Sequence, residues 1–358
     1  VNEAAGWRAV AALYNALLTA TVVALVARRG ADTAREYVFQ HFRRQHLEKF
    51  LPGLKKLGLE GMPHAVACAL YHYHSNALGG VLTETVVASD RKAWVRYPPP
   101  RWMWRGTAIA AIPHAVSAAM LHGWHGHNGV SLGNPRLGFV CTGMTVDGHP
   151  GLEGYYLEHD RALAPEERVR FAYGAETMPR FDTSAAPRLD AAQWPEERLL
   201  RAHRSYAMEY LRTLLPTLQA VLGTADAAAE LARVARLIGL QTHAELAATL
   251  GFGTNLSAGD RASAGAFARW LAAMQRAHGE SVELLEDGET PCVRVGGWRL
   301  AGDLALADPL AAFDAWNALW VGACAAHDRF LRLKTQRTRH DGRWAIEWRV
   351  LPQSGVAQ

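Results

Sequence analysis

Seven of the sixteen histidines of this 358-residue chain fall between His64 and His127. They sit in two stretches that read alike, Pro63-His64-Ala65-Val66 running on to His72, and Pro113-His114-Ala115-Val116 running on to His122. The second copy then adds His125 and His127. Imidazole ligates transition metals and exchanges protons near neutral pH, so a dense cluster of it points to a site. On a helix, His64 and His72 would lie roughly 12 Å apart along the axis and could not share an ion. His122 and His125, three residues apart, would share a helix face. A construction that gathers His72, His122 and His125, with His127 or Glu84 completing the shell, leaves an open position suited to Zn or Fe. Such a metal generates a hydroxide or binds dioxygen. The chain has no HExxH motif and no paired-carboxylate motif. The plainer reading is therefore that these are capping or core histidines in an aromatic interior.

Cys141 offers a second chemistry. It lies inside Gly138-Phe139-Val140-Cys141-Thr142-Gly143, where glycines permit close approach of a ligand. A thiol nucleophile needs a neighbouring base, and His122, His125 or His127 would be the candidates, making His122, His125 and Cys141 the catalytic set. A buried thiol used as a small apolar group is the commoner fate of free cysteine. Between these groups runs Gly123-Trp124-His125-Gly126-His127-Asn128-Gly129, followed by Asn134-Pro135-Arg136. Loops of that make-up often line ligand sites. Arg136 would clamp a substrate carboxylate, and Trp102, Trp104 and Trp124, with Asn128, would form the wall of a pocket.

Elements that could position these residues come in a repeated order. Val81 to Ala88 and Ala93 to Tyr97 read as a strand pair, a helix follows from about Ile112, and Leu137 to Val146 and Leu152 to Leu157 flank the turn at Asp147-Gly148. Further on, Ser281 to Leu285 and Cys292 to Val295 flank Asp287-Gly288, a helix covers Leu310 to Phe330, and Leu331 to Arg339 and Trp344 to Val350 flank Asp341-Gly342. Three word matches accompany that order: Leu47 to Leu54 with Leu211 to Leu218, Val95-Arg96 with Val293-Arg294, and Leu137 to Gly148 with Leu331 to Gly342. The expected fold class is α+β, two related halves, each with helices packed on one face of an antiparallel sheet. We place the halves at 1–177 and 195–358, joined by a Pro/Ala/Ser/Asp-rich linker, 178–194. The second half has Trp316-Asn317-Ala318-Leu319-Trp320 where the first has histidines, so it reads as a scaffold.

Composition excludes several classes. With 49% hydrophobic and 20% charged residues the chain is globular, and a net charge of +4 gives no footprint for nucleic acid. The four cysteines lie far apart without CxxC spacing, so neither a zinc ribbon nor a disulfide framework is indicated and a reducing cytoplasm is the expected setting. Residues 9–27 carry no charge and reach the length of a membrane anchor. Their Tyr14, Asn15, Thr19 and Thr21, and their many alanines, fit a buried helix better.

Phe267-Ala268-Arg269, the hairpin around Val293-Arg294, the helix ending near His327-Asp328-Arg329, and the closing strands Lys334 to Thr338 and Ala345 to Val350 together resemble the L-2-amino-thiazoline-4-carboxylic acid hydrolase-like family. The resemblance implies small α+β domains and hydrolytic cleavage of a C–N or C–S bond in a small cyclic substrate. The chain departs from the family pattern at Trp298, where a cysteine is expected. Two readings follow: a small-molecule hydrolase with its site in the first half, and a ligand- or haem-binding protein with an axial histidine such as His72 or His122 and a Trp-lined pocket. A homodimer is an arrangement open to either.

Overall fold

A computed structural model describes residues 2–101, 103–253, 259–286, 290–340 and 343–353. The chain divides into two compact units, one of Val22–Ala202 and the other of Val1–Thr21 with His203–Gln358. Both are α+β, with helices packed against an antiparallel sheet.

Each unit builds its sheet in the same way. In Val22–Ala202, α1 (Glu3–Arg29, from Val22 on) and α2 (Ala31–Lys56) precede α3 (His64–Leu78), β1 (Glu84–Ser89) and β2 (Lys92–Tyr97). Then come α4 (His114–Gly123), the short α5 (Asn128–Ser131), β3 (Leu137–Gly143), β4 (Leu152–Glu158) and β5 (Val169–Phe171). The sheet order is β1-β2-β4-β3-β5, antiparallel except that β5 runs parallel to β3. In the other unit, α6 (Glu196–Leu222), α7 (Thr224–Thr249), α8 (Arg261–His278), β6 (Val282–Leu285), β7 (Cys292–Val295), α9 (Pro309–His327), β8 (Leu331–His340) and β9 (Arg343–Pro352) repeat the sequence of elements. Their sheet order, β6-β7-β9-β8, matches the first four strands of the other sheet position for position.

Two local features carry the likeness down to residues. The 27-residue α1 and 26-residue α2 meet at Gly30, and the 27-residue α6 and 26-residue α7 meet at Gly223. Both glycines have positive φ, 90° and 78°, a conformation that costs a side-chain-bearing residue energy but not glycine. Where α4 crosses α2, a Cβ on Gly123 would stand 2.5 Å from the Phe39 carbonyl oxygen; where α9 crosses α7, one on Gly322 would stand 2.1 Å from that of Arg236. Neither crossing admits even a methyl group.

The expected word matches fare unequally. Val95 and Val293 both lie on the second strand of their sheets, and Leu137 and Leu331 both open the third. Leu47 and Leu211 do not correspond, because α2 is the second helix of its pair and α6 the first. The turns at Asp287-Gly288 and Asp341-Gly342 lie outside the described residues.

Unit boundaries also depart from those read from sequence. The first 21 residues belong with the carboxy-terminal elements: Tyr14 accepts a hydrogen bond from Trp316 Nε1 (3.2 Å) and its ring meets that of His278 at 5.2 Å. The segment 178–194, expected to be a linker, is largely exposed and is anchored to Val22–Ala202 at its two ends. Met178 is buried with Trp94, Val140 and Tyr155, Phe181 packs on that cluster, and buried Trp194 receives Lys56 and Arg198 over its ring. α1 is long and apolar enough to cross a membrane, and 61% of its most apolar window is buried within the protein.

Candidate functional site

Strand alternation sets the floor of the site in Val22–Ala202. Successive residues of a strand face opposite sides, so Trp94, Val140 and Tyr155 turn to the Met178 side, while Tyr97, Phe139 and Tyr156 turn to the helices. α3 lays His72 over this second face. A short 3-10 turn after α4, His125–His127, brings in His125. The two imidazoles stack at 4.3 Å with an 11° interplanar angle, and both rings lie nearly parallel to Tyr156. His125 Nε2 meets Tyr97 OH at 3.2 Å, and Asn128 Nδ2 donates to Tyr156 OH at 2.9 Å. From α2, His46 joins through Trp124, edge-on at 5.5 Å, with Arg43 donating to its Nδ1 at 2.8 Å.

His46, His72 and His125 are all buried, and burial decides their protonation because it disfavours the charged form. His72 is pushed down to about 3 by burial, then by the charges of His46 and Arg101. His46 reaches about 3 for the same first reason, with Arg43 and His127 adding to it and Asn128 acting the other way. His125 is held well below its usual value by burial, with His72, Arg101 and His46 next. At neutral pH the cluster is a set of uncharged hydrogen-bonding rings. His72 Nε2, His125 Nδ1 and Trp124 Nε1 have no hydrogen-bond partner among the described residues.

The expected four-histidine metal shell does not assemble. α4 ends at Gly123, so His122 and His125 no longer share a helix face. His122 packs on Phe171 at 6.0 Å, and its carbonyl accepts from His127 Nδ1 at 2.9 Å. The lone pairs of the stacked His72 and His125 run side by side in parallel planes instead of converging on one point. Glu84 is taken by Arg96 at 2.8 Å. Among the described residues no group of three or more His, Cys, Asp or Glu side chains is placed to hold a metal ion.

Other expected residues are accounted for individually. Cys141 is fully buried, its Sγ donating to the Gly143 carbonyl at 3.3 Å. Burial chiefly, opposed by the Gly143 hydrogen bond and helped by Asp147 and Glu153, lifts the thiol to about 12, so it stays protonated at neutral pH. Arg136 is ion-paired to Glu158. Asn128 serves Tyr156 from inside the core, and Trp124 stacks on Tyr71 beside His46 and His72. Trp102 lies outside the described residues.

Beside this cluster opens a cleft of about 170 Å³. Its walls are a strap of which Pro99 to Arg101 and Met103 to Gly106 line it, Ile109, Ser117 of α4, Met144 to Val146, and Leu152. The lining is mostly apolar, with Arg101 and Arg105 as its cationic groups. Arg101 reaches from the strap over the ring of Tyr97 at 4.7 Å, which links the cleft to the His125 hydrogen bond. Trp104, buried in the strap, has φ 56°, the left-handed region that a non-glycine residue enters at a cost, and such strain gathers at functional sites. Trp104 Nε1 and Thr145 Oγ1, on two lining residues, are buried without a hydrogen-bond partner among the described residues.

Sequence reading missed His46, Arg101, Arg105, Ser117 and Thr145. His46 lies outside the dense histidine stretch, and the others carry no motif. The one available signal was the stiff Tyr97-Pro98-Pro99-Pro100 segment, which sets the strap.

The carboxy-terminal unit has histidines of its own, away from the Trp316–Trp320 stretch. His243 Nε2 and His327 Nδ1 meet at 3.1 Å, and His327 Nε2 donates to the Ser263 carbonyl at 3.2 Å. Counted from the matched helix crossings, where Arg43 N and Leu240 N approach the two glycines, His46 and His243 each lie three residues further along. Their partners, His127 at 6.2 Å and His327 at 5.2 Å between ring centroids, lie just past the end of α4 and at the last residue of α9. Both units thus set a histidine pair beside the same helix crossing, fully buried in the carboxy-terminal unit and with His127 half-buried in the other.

No family model, curated protein or solved structure matches this chain. The likeness of the second half to the hydrolase-like family gains neither support nor opposition from them.

Proposed function

We propose that Val22–Ala202 is a small-molecule binding unit that takes a small organic anion with an apolar body in the cleft under the Pro99–Gly106 strap. The observation that carries this reading is the pairing of an apolar cleft with two arginines, Arg101 and Arg105, in its lining. Guanidinium groups recognise carboxylates bidentately, and apolar walls with a few polar groups are the usual make-up of ligand sites. At about 170 Å³ the cleft is smaller than the roughly 300–1,000 Å³ of sites for drug-sized ligands, which favours a ligand of a few carbons. The unpartnered Trp104 Nε1 and Thr145 Oγ1 are a further reserve of hydrogen bonds beside it.

Binding, not bond cleavage, is the reading these groups support. Cleavage of a C–N or C–S bond calls for an activated nucleophile or a poised base. The Cys141 thiol stays protonated and the His46, His72 and His125 rings are poor bases, since burial holds their pKa values far below neutrality. Titration calorimetry with butyrate and hexanoate, set against butanol and hexanol, tests the proposal. Saturable binding of the carboxylates alone is expected, weakened tenfold or more in Arg105→Gln, whose exposed side chain is not part of the core. Equal binding of the alcohols, or none by either series, contradicts it.

A further inference from the structure

The two sheets share the order of their first four strands but differ at the outer edge of the third. In Val22–Ala202 that edge is closed: β5 lies parallel to β3, with Phe139 N donating to the Arg168 carbonyl (2.8 Å) and Ala172 N to the Cys141 carbonyl (2.9 Å). All seven residues of β3 are buried. The equivalent strand β8 is ten residues long and stands at the end of its sheet, and among the described residues no strand pairs with its outer side. Of its ten residues only Leu331 is buried.

Register shows which groups this edge presents. Phe139 pairs with Tyr156 and Leu333 with Val350, both at the same spacing of 194 residues. Val350 N donates away from β8, to the Pro291 carbonyl, so Leu333 opposite it turns its own N–H and C=O outward, as Phe139 does. The alternate residues Thr335, Arg337 and Arg339 follow the same phase. β8 also carries Arg332, Lys334, Arg337 and Arg339 and no acidic residue. Arg337 pairs with Asp314 of α9, whereas Lys334 stands directly opposite Arg349, a like-charge pairing that costs stability.

We infer that the open edge of β8 is a docking site for an extended acidic peptide segment, added as a parallel strand in the way β5 is added to β3. Backbone hydrogen bonds supply pairing, as in other strand additions to a sheet edge, and the basic side chains select the acidic partner. A second copy of this chain is disfavoured as the occupant because its own β8 would bring four basic residues against four. Basic side chains on an edge also protect against aggregation, and a purely protective role is the opposing account.

The test uses a dye-labelled ten-residue peptide of alternating Glu and Val, its Lys/Val counterpart, and the full chain. The acidic peptide is expected to bind saturably by fluorescence anisotropy, and to slow hydrogen exchange at the amides of Leu333, Thr335 and Arg337. The Lys/Val peptide is expected not to bind. In the double variant Arg332→Glu with Lys334→Glu, affinity should fall tenfold or more while the thermal melt is not lowered, since the new carboxylate at position 334 would face Arg349. Absence of binding, unchanged affinity in the variant, protection elsewhere than β8, or protection that rises with protein concentration without peptide each overturns the inference.

Discussion

Each imidazole of the buried cluster takes its character from what surrounds it. His72 and His125 stack ring on ring, and His46 is enclosed by Phe50, Trp124 and His127. Their burial has a thermodynamic consequence. His41, His46 and His72 are held down to about 3, from an ordinary value of 6.5, and His243 and His278 in the other unit to about 4 and about 3, in every case chiefly by burial. Between those values and 6.5 the unfolded chain binds protons that the folded chain refuses, so stability falls as pH falls. The stabilisation is complete above about pH 6.5 and is lost progressively toward pH 3. Thermal melts from pH 8 to pH 4 should show an almost level transition temperature down to about pH 6.5 and a steep decline below it. A flat profile through pH 4 would mean that the rings accept protons in place.

Elements place these residues through contacts that sequence reveals unevenly. Hydrophobic alternation and Asp-Gly turns made most strands legible: Cys292–Val295 was read to the residue, and the others to within a few positions. β5 was missed because three residues paired in parallel leave no periodic trace. The loop from Gly123 to Gly129 was legible from its glycines and polar side chains, yet His122 and His125 were also given one helix face; α4 ends at Gly123, and on that break the expected metal shell fails. Helix crossings were invisible for a different reason, because a close approach depends on a partner far away in sequence. They are testable now. Gly123→Ala and Gly322→Ala each drive a methyl into backbone oxygen, at 2.5 Å and 2.1 Å, and overpacking of this kind costs about 1–3 kcal/mol. Chemical denaturation should show both variants destabilised by at least that order; a neutral result would show that the crossings open without penalty.

As a whole molecule, the chain repeats one order of helices and strands in its two units. The unit Val22–Ala202 has both its outer sheet face and its third-strand edge covered, by Met178 and Phe181 and by β5, and holds a cleft under a strained strap. The other leaves its third strand open and basic. Duplication was legible from the order of elements and two of the three word matches, whereas the cleft was not, because its lining comes from a strap, a helix and two strand ends with no spacing in common. The central claim is that a small organic anion occupies that cleft, and Trp104 is its reporter. Of the twelve tryptophan indole N–H signals, the one lost in Trp104→Phe should shift progressively and saturably as butyrate is titrated into isotope-labelled protein, with butanol leaving it in place. A Trp104 signal that stays fixed while others move, or that moves equally with the alcohol, would contradict the account.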